Sequence, residues 1–122
     1  MDIKDVLTKI HEDIQNQRKS LLYAKQKIEE QQEMLKIWEL EQITDIADAV
    51  NENGKPLYSN ETKRAAELER RKKESQEYQN ALRELKEHKM EYDLQVIVLQ
   101  GMLDKQENAR HLPESRGWRK CQ

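Results

Sequence analysis

The stretch VNENGKPLYSNETKR, from Val50 to Arg64, holds one of the three glycines and one of the two prolines of a 122-residue chain. Its Asn-Gly pair favours a two-residue turn with both φ angles positive, between flanks long enough for a very small β-hairpin. Pro56 ends any continuation of a preceding helix, because it has no amide hydrogen to donate. We therefore predict a chain reversal over about residues 51–59. A phosphate-binding loop would need more glycines and a preceding strand.

The half of the chain before this turn has a heptad pattern. Its seam positions recur at alternating steps of four and three, as in a helix that packs along one stripe. No glycine or proline precedes Gly54, and Lys, Glu, Gln and Leu fill the other positions. These features predict one helix from about residue 3 to about residue 50. The seam positions are Ile3, Leu7, Ile10, Ile14, Gln17, Leu21, Ala24, Ile28, Gln31, Leu35 and Trp38.

The half after the turn repeats the pattern. Ser59 and Asn60 can cap exposed amides, and Glu61 follows where the helix dipole favours an anion. Pro113 should end the helix. We predict a second helix over about residues 60–110 and a flexible basic tail over residues 111–122. The seam positions are Leu68, Arg71, Ser75, Tyr78, Leu82, Leu85, Lys89, Tyr92, Val96, Leu99 and Leu103.

The two seams match when the chain is folded at Asn53-Gly54, because the residue numbers of facing positions then keep a nearly constant sum. Apolar positions face apolar positions, and Trp38 faces Arg71, where a cation over an indole adds about 1 kcal/mol. The sequence thus predicts an all-α fold, an antiparallel two-helix coiled-coil hairpin over residues 1–110 with a short β-turn at its midpoint.

Apolar residues outside the seam cluster at both ends of the predicted hairpin. The cluster near the turn comprises Ile37, Leu40, Ile43, Ile46 and Val50, and the other lies at the open end. Each cluster either widens the local core or forms an interface, and at the open end we favour an interface, because contiguous apolar patches on soluble monomers are uncommon. A helix-interior glycine there is typical of close approach by another backbone. Two hairpins joined here form a partial four-helix bundle, so we expect a homodimer. The predicted interface residues are Val6, Ile97, Val98, Gly101 and Met102.

Composition restricts the possible fold classes of the chain and its expected location in the cell. With 35% hydrophobic and 38% charged residues, the chain has too little apolar material for a multilayer core. The longest apolar run, VIVL at 96–99, is far too short to cross a bilayer, and MDIKDVLTKI is too charged for a signal peptide. The single cysteine, Cys121, fits a reducing compartment. We expect a cytoplasmic protein without a membrane partner.

Catalytic motifs are missing from the sequence. The three histidines, His11, His88 and His111, are scattered, and neither an HExxH nor a Glu-x-x-His pair is present. We therefore expect no enzyme activity, no catalytic residues, no metal or other cofactor, and no small-molecule ligand.

Cations concentrate next to the turn and in the tail. The net charge of −2 gives no strong overall attraction to nucleic acid, and glutamates interleave with the turn-proximal cations. The tail combines cations with one aromatic residue, which suits either phosphates and bases or a groove on an acidic protein. The candidate partner-binding residues are Tyr58, Asn60, Lys63, Arg64, Arg70 and Lys73 near the turn, and Arg116, Trp118, Arg119 and Lys120 in the tail.

The segment NENGKPLYSNETKRAAELERR, followed by EYQNALREL, resembles small uncharacterised proteins of bacteriophages and prophages of Gram-positive bacteria. The resemblance covers most of the chain up to about Leu103 and is most specific at the midpoint pattern GK-x-x-Y-S-N-x-x-x-R. It implies a phage accessory protein of the host cytoplasm, one that binds a host defence complex or assists phage DNA processing.

Three functional hypotheses follow. The first is a protein–protein interaction module that binds and inhibits or modulates a host defence or DNA-processing complex. The second is a nucleic-acid-binding accessory protein of phage recombination or replication. The third is an architectural coiled-coil spacer.

Overall fold

The computed structural model describes the backbone of residues 2–121 and the side chains of residues 2–111. The chain forms helix α1 over Ile3–Asp48, α2 over Glu61–Glu74 and α3 over Gln76–Cys121. It is 87% helical, and the described residues contain no strand, which confirms the predicted all-α class. Among those residues, none of the helices combines the length and the apolar character needed to cross a membrane.

The chain reversal after α1 is a hydrogen-bonded turn with one antiparallel bridge, between Val50 and Pro56. Asn51 organises it: its amide donates to the Lys55 carbonyl at 2.8 Å, and its Oδ1 accepts from the amides of Asn53 at 2.9 Å and Lys55 at 3.1 Å. Gly54 has a φ of 76°, whereas no described residue other than glycine has a positive φ. The predicted turn with two positive φ angles is therefore wrong at Asn53, and the Asn51 side chain explains the alternative.

The second half of the chain contains two helices, so the prediction of one uninterrupted helix over 60–110 is wrong at Ser75. This residue has extended backbone angles, φ −78° and ψ 111°. Its Oγ accepts from the amide of Tyr78 at 3.1 Å, and Gln79 Nε2 donates to the carbonyl of Lys72 at 2.7 Å. These two side chains satisfy backbone groups that a helix break otherwise leaves unpaired.

Helix α3 also continues to Cys121, past Pro113, where we predicted the helix to end and a flexible tail to follow. Proline lacks the amide hydrogen that would bond the carbonyl of Ala109, so the helix loses one hydrogen bond there. The backbone nevertheless stays helical on both sides of the ring.

The chain divides into two compact units. Unit 1 comprises Met1–Gln26 and Lys89–Gln122, and unit 2 comprises Lys27–His88. The core of unit 1 is formed by buried Ile10, Ile14 and Ala109. Five partly buried side chains pack against it: Val6, Leu7, Leu99, Met102 and Leu103.

Unit 2 joins the second half of α1 to α2 and the start of α3. Ile46 is 2% exposed, and the side chain of Gln31 donates to the carbonyl of Ala81 at 3.0 Å. Trp38 packs on Tyr78, with ring centroids 4.6 Å apart. The predicted pairing of Trp38 with Arg71 is wrong, because the guanidinium of Arg71 is bound by carboxylates instead.

Candidate functional site

A network of charged side chains links α2 to α1 in unit 2. Glu67 on α2 is 8% exposed and accepts from Arg70 Nε at 2.9 Å and from Arg71 Nε at 2.9 Å. Arg71 also reaches α1, where its Nη1 lies 2.6 Å from Asp45 Oδ2 and 2.9 Å from Gln42 Oε1. A buried carboxylate paired in this way with two guanidinium groups holds two helices in a defined register.

The network shifts the pKa values of its members. Hydrogen bonds from Arg70 and then from Arg71 lower the pKa of Glu67 to about 2. Hydrogen bonds to carboxylates also shift the pKa of Arg71. The bond to Asp45, and then the bond to Glu67, raises it. Burial acts to lower the pKa of Lys72, but Glu39, Tyr78 and Glu69 together outweigh it, so the net shift is upward. These groups are charged throughout the neutral range.

Most of the predicted turn-proximal contact residues take part in bonds within the chain. The Tyr58 side chain adds slightly to the lowering of the Glu67 pKa, after Arg70 and Arg71, and its carbonyl accepts from Arg64 Nη1 at 3.4 Å. Asn60 caps α2, with Oδ1 accepting from the amide of Lys63 at 2.9 Å. Lys63 Nζ lies 3.4 Å from Ser59 Oγ. The GK-x-x-Y-S-N-x-x-x-R pattern thus describes a turn and a helix start in this structure.

The basic run at 70–73 is largely neutralised by acidic neighbours. Arg70 forms ion pairs with Glu67 and Glu74 along α2. Lys72 Nζ lies 3.2 Å from Glu39 on α1 and 3.5 Å from Glu69. Lys73, the remaining candidate of this run, is exposed on α2. Cations already bound to carboxylates attract an external phosphate weakly, so this run is a poor nucleic-acid site.

The four predicted tail contacts, Arg116, Trp118, Arg119 and Lys120, lie on the backbone of α3, and their side chains fall outside the described residues.

The predicted open-end interface separates into two groups. Val6 and Met102 pack against the core of unit 1, so they take part in folding. Ile97 and Val98 are exposed, and an added Cβ at Gly101 would meet nothing within 4 Å. Sequence reasoning missed Met90 and Leu94, which are also exposed. Their signal was present: Met90, Leu94 and Ile97 are spaced by four and three, outside the predicted seam.

A second uncovered surface lies on the last three turns of α1. We call it the α1 groove, and its apolar residues Ile37 and Leu40 are 48% and 53% exposed. Three carboxylates and a threonine complete its lining: Glu41, Asp45, Asp48 and Thr44. The last turn of α1 carries no basic residue, so these carboxylates add to the negative end of the helix dipole.

Metal-binding groups do not come together in the part of the chain with described side chains. No group of three or more His, Cys, Asp or Glu side chains there is placed to hold a metal ion. His111 lies 2.7 Å from Glu107 on the exposed surface of α3. The α1 groove and the exposed apolar side chains of α3 are two uncovered surfaces among the described residues.

No protein-family model matches this chain, and neither does any curated protein or solved structure with which it was compared.

Proposed function

We propose that this chain is a non-enzymatic protein-binding module that inhibits or modulates a host defence or DNA-processing complex, in line with the phage proteins its midpoint resembles. The observation that carries the proposal is the α1 groove. Ile37 and Leu40 remain about half exposed, and Glu41 and Asp48 lie beside them in the lining of the groove. Apolar patches rimmed by polar residues are typical of protein-binding sites.

The groove selects a partner by charge as well as by apolar contact. Glu41, Asp45 and Asp48 line it, and Asp45 is bound by Arg71, so Glu41 and Asp48 are the carboxylates that a partner's cations can use. The complementary partner is an amphipathic segment that places apolar anchors on Ile37 and Leu40 and cations over Glu41 and Asp48. When the groove binds such a segment, the host complex can no longer use the segment, or it assembles differently.

The scaffold in this proposal is an antiparallel hairpin, with α1 as one arm and α2 followed by α3 as the other, and the hairpin forms a homodimer. Contacts inside unit 2 support the antiparallel arrangement. Gln31 on α1 bonds Ala81, whereas Glu39, further along α1, pairs with Lys72, which precedes Ala81 in the chain. These contacts order the helices of unit 2 before binding, which lowers the entropy lost on binding.

Nucleic-acid binding is the second candidate function, and the tail is the feature that favours it. Residues 115–120 read SRGWRK, in which three cations surround Trp118. The basic run at 70–73 should contribute little to the binding of phosphates, because Arg70 and Lys72 already form ion pairs within the chain. A gel shift at low salt with single- and double-stranded DNA and RNA tests this candidate. The spacer hypothesis predicts neither activity.

The main test is affinity capture from a lysate of a Gram-positive host, with and without nuclease, read by mass spectrometry. The baits are the full chain, Leu40→Lys in the α1 groove, and Leu22→Lys as a control. Leu22 is 59% exposed in unit 1, so it matches Leu40 in exposure but lies on another surface. We expect a host protein that survives nuclease, is lost with Leu40→Lys and is kept with Leu22→Lys. Capture that vanishes with nuclease supports nucleic acid instead, and equal capture by all three baits excludes the groove.

A further inference from the structure

Five large apolar side chains of α3 are exposed among the described residues of unit 1, and Val96, at 41%, is the least exposed of them. The other four, Met90, Leu94, Ile97 and Val98, have exposures between 48% and 67%. The opposite side of the same helix is covered, because Leu99 and Leu103 pack against the core of Ile10, Ile14 and Ala109. We call these four side chains, together with Gly101, the α3 stripe.

The α3 stripe has the spacing of a coiled-coil seam. Met90, Leu94, Ile97 and Gly101 follow one another at steps of four, three and four, and Val98 flanks them. Positions repeated in this way lie along one face of a helix, which can pack against an equivalent face of another helix. α3 therefore carries two apolar faces. One packs against the core of unit 1, and the other, the α3 stripe, is exposed.

We propose that the α3 stripe pairs with the α3 stripe of a second copy of this chain in antiparallel orientation. In this register Ile97 faces Leu94 of the second copy, and Gly101 faces Met90 of the second copy. Each contact occurs twice, as two-fold symmetry requires. The inference rests on the homodimer within the proposed function and is independent of the host partner.

Steric fit supports this orientation. An added Cβ at Gly101 would meet nothing within the chain, so packing inside one copy does not explain the glycine. A helix-interior glycine costs about 1 kcal/mol relative to alanine. Antiparallel pairing places Met90, a long side chain, over this gap, whereas parallel pairing places one glycine over the other and leaves a cavity.

The charges beside the stripe favour the same orientation. Glu91 and Asp93 flank its first part, whereas the neutral Gln100 flanks its last part and is followed by Asp104 and Lys105, which have opposite charges. Antiparallel pairing lays Glu91 beside Val98 of the second copy and Asp93 beside Gln100 of the second copy. Parallel pairing brings the carboxylates of both copies to the same end of the interface, where they repel each other.

The proposed surface differs from the one expected from sequence. Val6 and Met102 belong only to the interface predicted from sequence, because both pack against the core of unit 1. Met90 and Leu94 belong only to the α3 stripe. Ile97, Val98 and Gly101 belong to both sets. The surface lies on one helix, so its register can be tested residue by residue.

Sedimentation equilibrium of the full chain tests pairing, with Ile97→Asp and Leu22→Asp compared. Ile97 is 67% exposed on α3 and Leu22 is 59% exposed on α1, outside the stripe, so circular dichroism should show unchanged helicity for both variants. We expect Ile97→Asp to raise the dimer dissociation constant by at least about 100-fold, since it buries an unpaired charge. Leu22→Asp should raise it less than tenfold. A monomeric wild-type chain, or equal effects of the two variants, would overturn the proposal.

Cysteine cross-linking tests the orientation, in chains that carry Cys121→Ser. A mixture of Met90→Cys and Gly101→Cys chains should form a disulfide-linked dimer under mild oxidation, because facing seam positions bring Cα atoms within disulfide range. Gly101→Cys alone should not cross-link. A dimer from Gly101→Cys alone would show parallel pairing and refute the proposed register. Host capture by the α1 groove is measured separately, so failure of one proposal does not imply failure of the other.

Discussion

Arg71 and Glu67, one helical turn apart on α2, are bonded at 2.9 Å, and the same guanidinium is bound by Asp45 on α1. The carboxylate of Glu67 is buried, so the pair sits partly away from water. A charge in that position must remain paired, because an unpaired buried charge is strongly unfavourable. Ionised Glu67 thus helps to hold the guanidinium of Arg71, the group that bonds Asp45 and Gln42 on α1.

We expect the stability of the chain to fall in acid because of Glu67. Its pKa is lowered from 4.5 to about 2 in the folded chain, so its contribution is fully present above about pH 4.5 and is lost as the pH falls toward 2. Urea unfolding between pH 6 and pH 2 measures this effect. Glu67→Gln should flatten the pH dependence in that window. Glu69→Gln, at an exposed position on the same helix, should leave most of it in place.

The cap at the start of α2 gives a second prediction. Asn60→Ala removes the Oδ1 that accepts from the amide of Lys63, and we expect it to lower the free energy of unfolding by about 1 kcal/mol. Ser59→Ala loses only a 3.4 Å contact with the Lys63 ammonium and should cost less than about 0.5 kcal/mol. Equal losses in denaturant unfolding would show that Asn60 does not act through its cap.

Two glycines should respond to alanine with opposite signs. Gly54 has a φ of 76°, where a Cβ is strained, so Gly54→Ala should destabilise the chain by about 1–2 kcal/mol. Gly101 lies inside α3 with open space around it, so Gly101→Ala should stabilise the chain by about 1 kcal/mol. Thermal unfolding in dilute solution measures both. A stabilising Gly54→Ala would contradict the turn geometry.

Truncation of core and surface side chains should separate the filled face of unit 1 from its open one. Ile14 is 2% exposed, and Ile14→Ala should lower the free energy of unfolding by about 2–5 kcal/mol. Leu22→Ala, at a position 59% exposed on the same helix, should change it by less than about 0.5 kcal/mol. If both variants lose the same amount, the core of unit 1 is misassigned.

The helical class and the position of the reversal could be predicted because both depend on local signals. Heptad spacing marks α1, and the absence of glycine and proline before Gly54 leaves nothing to interrupt it. Asn60 was recognisable as a cap because it precedes an acidic first turn. These signals act over a few residues and need no knowledge of tertiary contacts.

The break at Ser75 was harder to predict because it competes with a continuous heptad pattern. The sequence contains only weak signals of this break. Three cations at 71–73 lie in the last turn of α2, and Glu77 lies in the first turn of α3. The Gln79 side chain then bonds a carbonyl seven residues earlier, a contact that no spacing rule identifies. The pairing of Arg71 was missed for a related reason, since Asp45 and Trp38 both lie on α1 and composition alone does not rank them.

The candidate surfaces were only partly predictable. Exposed Ile97 and Val98 lie outside the predicted seam, and their exposure follows from that. Val6 and Met102 are partly buried because the core of unit 1 is wider than the predicted seams. A prediction that assigns one seam to each half of the chain does not include them. Ile37 and Leu40 of the α1 groove were recognised as apolar residues outside the seam, but spacing alone did not distinguish an uncovered surface from a wider core there.

The two units differ in the share of charged contacts in their packing, which gives them different responses to salt. In unit 2, ion pairs such as Arg71 with Asp45 add to the apolar contacts of Ile46 and of Trp38 with Tyr78, and dissolved salt screens those ion pairs. The core of Ile10, Ile14 and Ala109 in unit 1 is apolar. Added salt should therefore weaken unit 2 more than unit 1, so that one mild stress acts on two parts of the same chain to different extents.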